Sequence, residues 1–127
     1  MKKSVLIIED NEQNMYLLNF LLTTNNYTVH QAFNGEDGFK KAHQYNPNII
    51  LLDIQLPDMD GYTICRKLKS NGLPKTTIII AVTSYAMGGD REKALQSGAN
   101  GYIEKPIDPD LFISQMETIY KDFLNDR

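Results

Sequence analysis

Along the chain, short aliphatic runs alternate with stretches in which apolar residues recur every three or four positions. The runs are Val5-Leu6-Ile7-Ile8, Ile49-Ile50-Leu51-Leu52, Ile78-Ile79-Ile80-Ala81-Val82 and Gly101-Tyr102-Ile103. Continuous apolar runs of this length suit strands covered on both faces, as in a parallel sheet. Tyr27 to Gln31 predicts a further strand. Between the runs the period changes. Asn11 is a good N-cap, and Met15, Leu18 and Leu22 follow at helical spacing. Asn34-Gly35 opens a second helix carrying Phe39 and Ala42, and Asn46-Pro47 ends it. Asp60-Gly61 opens a third, with Ile64 and Leu68 inward, and Asn71-Gly72 closes it. Asp90 caps a fourth, which Gly98 terminates. Asp108-Pro109 joins an N-cap to a proline at the first helical position, and Phe112, Met116, Ile119 and Phe123 form the buried stripe of the last helix.

Five strand–helix units imply an α/β fold, a doubly wound five-stranded parallel sheet with helices on both faces. Right-handed crossovers leave few topologies open. The chain has no internal repeat, low-complexity stretch or interdomain linker, so residues 1–127 read as one domain without an output domain.

Composition narrows the partners. At 127 residues, 42% hydrophobic and 23% charged, the chain is an ordinary globular length and mixture. A net charge of −3 weighs against direct nucleic-acid binding. No apolar run reaches the ~20 residues needed to span a bilayer, and Met1-Lys2-Lys3 runs straight into a strand-length segment rather than a signal peptide. The single Cys65 forms no internal disulfide, and a cytoplasmic location is the default.

Each apolar run stops at a polar residue: Glu9-Asp10, Asp53, Thr83 and Lys105. In an open parallel sheet, functional groups gather at the carboxyl ends of the strands. If the runs are neighbours, three carboxylates, a hydroxyl and an ammonium converge on one edge. Acids in the position after the first strand repel a phosphate unless a metal intervenes. Crowded carboxylates likewise need a cation to neutralise them. Mg²⁺ is the natural candidate, a hard cation that takes oxygen ligands and often uses only one or two carboxylates. A carboxylate beside it can attack phosphorus and form an acyl phosphate, and Asp53 on a central strand is the best nucleophile. Taken singly, Glu9-Asp10 read as a helix cap, Asp53 as a turn residue, Thr83 as a β-branched strand residue and Lys105 as a solvated lysine. The spacing of the set makes the functional reading the stronger one.

The chain resembles the receiver domain of two-component response regulators along nearly its whole length. The matching pieces are Ile7-Ile8-Glu9-Asp10-Asn11, the segment from Leu52-Asp53 to Asp60-Gly61, Val82-Thr83-Ser84-Tyr85-Ala86 and Tyr102-Ile103-Glu104-Lys105-Pro106. The resemblance implies the flavodoxin-like receiver fold with strand order 2-1-3-4-5. It implies that Asp53 is the phosphoacceptor for a histidine kinase or histidine phosphotransferase. Asp10, Asp53 and the backbone carbonyl of Gln55 would bind Mg²⁺, with Glu9 acting through water, and Thr83 and Lys105 would contact phosphoryl oxygens. An inward-moving Thr83 would vacate space for Tyr102, making the two residues a switch. Pro106 matches the family's cis-proline, although most X-Pro bonds are trans and the residues alone leave the isomer open. Ser84 would let a donor approach, while Gln55 and Tyr85 would govern water access, Tyr85 shielding the phosphoaspartate. Met87-Gly88-Gly89-Asp90 gives a permissive entry to the fourth helix. His30 and His43 lack partners at metal-ligand spacing, and Cys65 reads as packing.

The resulting expectation is a phosphorylation-activated switch of a phosphorelay, a stand-alone regulator of the cell-division type. Its first-helix face would dock the phosphoryl donor. The fourth-helix, fifth-strand and fifth-helix face would carry the signal to a protein target. Three alternatives stand beside it: a receiver excised from a hybrid kinase, a pseudo-receiver that ignores phosphate, and an Mg²⁺-dependent phosphohydrolase. The hydrolase expects a second acid two residues after its nucleophile, where this chain has Gln55, which transfers no proton at neutral pH.

Overall fold

The first three aliphatic runs become the middle, and the fourth one edge, of a five-stranded, all-parallel sheet. The computed structural model describes residues 3–84 and 90–125. Its strands are β1 (Ser4–Ile8), β2 (Thr28–Ala32), β3 (Ile49–Asp53), β4 (Ile78–Thr83) and β5 (Gly101–Glu104). They lie in the order β2-β1-β3-β4-β5, as expected. The connecting helices are α1 (Glu12–Thr24), α2 (Gly35–Tyr45), α3 (Gly61–Ser70), α4 (Asp90–Gln96) and α5 (Phe112–Asn125).

Alternation along each strand sends side chains to opposite faces, and both faces are covered. Val5, Ile7, Ile49, Leu51, Ile78 and Ile80 meet α1 and α5 through Met15, Leu18, Leu22, Phe112 and Met116. Leu6, Ile8, Ile50, Leu52 and Ile79 meet α2, α3 and α4 through Ala42, Ile64, Leu68 and Ala94. Fully burying an aliphatic side chain of this size contributes about 1.5–3 kcal/mol, which is why β1, β3 and β4 carry almost no polar residue before their ends.

Register brings those ends level. Ile8 pairs with Ala32 and with Leu52, Asp53 with Val82, and Thr83 with Glu104. Residues just past each pairing therefore share one edge of the sheet. Backbone bonds carry the ladders one step further: Glu9 N–H to Ala32 O, Ile54 N–H to Val82 O and Lys105 N–H to Thr83 O.

Two boundaries differ from expectation. β2 begins at Thr28, because the Tyr27 N–H turns back to Leu22 O and closes α1, leaving Thr28 N–H to open the ladder on Lys3 O. The last helix becomes regular only at Phe112. Asp108 O accepts from both Leu111 and Phe112, and the Asp108 side chain takes the Asp110 N–H, so Pro109 opens a turn that precedes the helix. On α5 the buried residues are Phe112, Met116 and Tyr120, while Ile119 and Phe123 are only partly buried.

Candidate functional site

Glu9 leaves β1 inward and is 2% exposed. Its Oε2 accepts the Asn11 N–H at 3.2 Å, and Asn11 in turn caps α1, its Oδ1 accepting the Asn14 N–H at 2.9 Å. Capping is thus done by Asn11, which leaves the two acids available for other work. Asp53, the last residue of β3, is 4% exposed, and its Oδ1 accepts the Gln55 N–H at 3.0 Å. The Lys105 ammonium lies 2.9 Å from Glu9 Oε1 and 3.4 Å from Asp53 Oδ1. The Lys105-Pro106 bond is cis.

Glu9, Asp10 and Asp53 each offer a carboxylate oxygen, all within 4.8 Å of one another. Burial, opposed by the Gln55 N–H and reinforced by the Glu9 charge, pushes the Asp53 carboxyl up from 3.8 to about 7. Burial works against the Lys105 charge, but the Glu9 and Asp53 carboxylates outweigh it and hold the ammonium above its ordinary value. The cluster thus carries more negative charge than one lysine offsets. Glu9 Oε1 is buried and accepts no aligned hydrogen bond, although the ammonium is close. Hard, crowded, under-neutralised oxygen donors fit a small divalent cation.

Thr83 closes β4, 1% exposed, one position beyond the partner of Asp53. Ser84 is exposed and its hydroxyl donates to Gln55 Oε1 at 3.2 Å, linking the loops after β3 and β4. Tyr102 of β5 pairs with Ala81 of β4 and is half-buried against the α2–α4 apolar layer. Tyr85 and the Met87-Gly88-Gly89 stretch lie outside the described residues, as does the Asp90 side chain. His30 stacks on Tyr45 with ring centroids 3.8 Å apart, His43 bonds Phe39 O and Asn71 O, and Cys65 is buried and free.

Sequence reasoning passed over Asp58. Its carboxylate accepts the Gly35 and Glu36 amides at the start of α2, at 2.8 and 3.1 Å. The contact spans more than twenty residues, and no spacing rule announces it. The nearest sequence signal is a second aspartate two positions before the Asp60 cap.

The fold is a doubly wound α/β sandwich whose sheet edge carries three clustered carboxylates. Residues 5–117 match the model of the response regulator receiver domain. The chain is 41% identical to the polar-differentiation response regulator DivK of Brucella anthropi over 126 residues, which is 99% of each chain. A CheY-like receiver domain protein from Methanospirillum hungatei superposes with a TM-score of 0.89 at 27% identity, covering 100% of both chains. The receiver domain of a sensor histidine kinase from Pseudomonas aeruginosa, with a magnesium ion in its active-site cleft, gives 0.83 at 29%, covering 98% of this chain and 99% of that one.

The chain belongs to the response regulator receiver family. It is a two-component signalling switch set by phosphorylation rather than a classical enzyme; receiver domains bind Mg²⁺ at an acidic site, and the cluster of Glu9, Asp10 and Asp53 is compatible with such an ion. Among the described residues no helix is long and apolar enough to cross a membrane.

Proposed function

We propose that Asp53 is the phosphoacceptor, and that Asp10, Asp53 and the Gln55 carbonyl hold Mg²⁺ while Glu9 contacts it through water. The observation that carries this reading is the convergence of three carboxylates within 4.8 Å, with the Lys105 ammonium 3.4 Å from Asp53 Oδ1. An Asp53 oxygen attacks the donor phosphorus, and the phosphorus–nitrogen bond to a donor histidine breaks. The electron pair returns to the imidazole, which takes up a proton. When bound, the cation held by these residues would supply positive charge to the phosphoryl oxygens. Lys105 and the Thr83 hydroxyl hold those oxygens on the protein side, and Ser84 leaves the approach open. Drawing Thr83 onto the phosphoryl group makes room toward Tyr102, the second half of the switch. Gln55, Ser84 and Tyr85 control access to the product, and Pro106 accompanies the inward lysine.

Two surfaces suit the expected partners. On α1, Tyr16 and Phe20 lie one turn apart and are 72% and 53% exposed, which supports this face as the dock for a histidine kinase or helical phosphotransferase. On the α4–β5–α5 side a groove of about 610 Å³ is lined by Leu95, Tyr102, Ile119 and Phe123, which supports it as the seat of the downstream protein. The match to DivK over 99% of each chain supports a regulator of the cell-division type.

Incubation with a phosphorylated histidine phosphotransferase tests the reading. Wild type accepts the phosphoryl group, Asp53→Asn does not, and Thr83→Ala is phosphorylated but no longer changes its partner affinity. Transfer to Asp53→Asn at the wild-type rate contradicts the assignment.

A further inference from the structure

The loop after Asp53 is tied at both ends and once in the middle. At its start the Ile54 N–H donates to Val82 O at 3.2 Å. At its end the Gly61 N–H donates to Ile54 O at 2.9 Å, and Gln55 pairs with Asp60 in an isolated antiparallel bridge. The middle tie is Asp58, which reaches across to another element. Its Oδ1 accepts the Gly35 N–H at 2.8 Å and its Oδ2 the Glu36 N–H at 3.1 Å. The same helix end is capped separately by Asn34, whose Oδ1 accepts the Asp37 N–H at 2.8 Å.

Water competes for the exposed Glu36 amide, and the Gly35 bond is partly buried, so together these bonds add only modestly to stability. Their effect is geometric. Each oxygen has its own amide, which sets the plane of the carboxyl group as well as its position. The approach is close: a Cβ on Gly35 would stand 3.3 Å from Asp58 Oδ1 and 2.7 Å from Ile64 Cδ1. The amides belong to the positive end of α2, and chiefly the Gly35 N–H holds the Asp58 carboxyl below its ordinary range.

We propose that Asp58 is a positioning residue for the Mg²⁺ site, clamping the β3–α3 loop to α2 so that the Gln55 carbonyl keeps the place the cation requires. The inference rests on the reading of Gln55 as a ligand. Mg²⁺ demands near-ideal octahedral geometry, so a carbonyl on a loosened loop binds it less well. Linkage makes the effect reciprocal: bound Mg²⁺ tightens the Asp58 clamp.

The test titrates Mg²⁺ alone into the full chain and reads affinity by calorimetry and hydrogen exchange at the Gly35 and Glu36 amides by NMR. Asp58→Ala raises the Kd about 5- to 10-fold, and Asp58→Asn, which keeps an acceptor oxygen, restores most of the affinity. Asn34→Ala loosens the same helix end without touching the loop and leaves the Kd within about twofold of wild type. In wild type, Mg²⁺ slows exchange of the two amides. A Kd changed less than about twofold by Asp58→Ala overturns the positioning role. So does an equal weakening by Asn34→Ala, which would trace the loss to helix stability. A wild-type chain with no saturable Mg²⁺ binding overturns the ligand assignment itself, a result distinct from wild-type binding that Asp58→Ala leaves intact.

Discussion

Lys105 leans on Glu9 more closely than on Asp53, at 2.9 Å against 3.4 Å. Both carboxylates are nearly closed to solvent, so the ammonium is the local cation that makes their burial tolerable. A divalent ion bound at the same oxygens takes over part of that task.

Removal of the lysine charge therefore shifts the burden to the metal. Metal-free Lys105→Gln melts below wild type at pH 8, and saturating Mg²⁺ raises its Tm by more than it raises the wild-type Tm. Equal Mg²⁺ shifts in the two proteins contradict the account.

Asp53 makes the metal-free protein sensitive to pH. Its carboxyl rises from 3.8 to about 7, first through burial, with the Glu9 charge adding to the effect. A raised acid is protonated in the fold over a range where the unfolded chain has lost the proton. Its contribution to stability is complete below about pH 4 and is lost as pH climbs through 7. Without Mg²⁺, wild type loses stability relative to Asp53→Asn over this window, by a few kcal/mol at most, and saturating Mg²⁺ removes much of the difference. Parallel profiles of Tm against pH for the two metal-free proteins contradict the assignment.

Gly61 permits an approach that no other residue allows. A Cβ there would stand 2.4 Å from Ile54 Cα and 2.8 Å from Asp53 O, both backbone atoms that cannot step aside. Gly61→Ala costs about 1–3 kcal/mol or more and also weakens Mg²⁺ binding, because the loop carries Gln55. Gly72→Ala meets nothing within 4 Å and costs only the strain of its φ of +82°, about 1 kcal/mol. Urea titration of both variants checks the order. A Gly72→Ala loss equal to that of Gly61→Ala reverses it.

What was legible in the sequence follows from burial. The runs around Ile7, Leu51 and Ile80 show themselves because central parallel strands have no wet face. Their order also put Asp53 beside Glu9, since functional residues collect where such strands end. The edge was harder to read. Tyr27 looks like a strand residue, yet it is held at the turn after α1, with its hydroxyl donating to Glu117 Oε2 at 2.6 Å. Long-range polar contacts outside the cluster at the strand ends were not legible. Neither the Asp58 clamp on α2 nor the Ser84–Gln55 bond has a local pattern, because each joins loops that meet only once the sheet is assembled.

The central claim is that Asp53 takes the phosphoryl group with Mg²⁺ at the adjoining carboxylates. Intact-mass measurement and peptide mapping after incubation with acetyl phosphate test it most directly. The account predicts one phosphoryl group on Asp53, dependent on Mg²⁺ and absent from Asp53→Asn. A chain that gains no phosphate, or gains it equally without Mg²⁺ or at another residue, contradicts it.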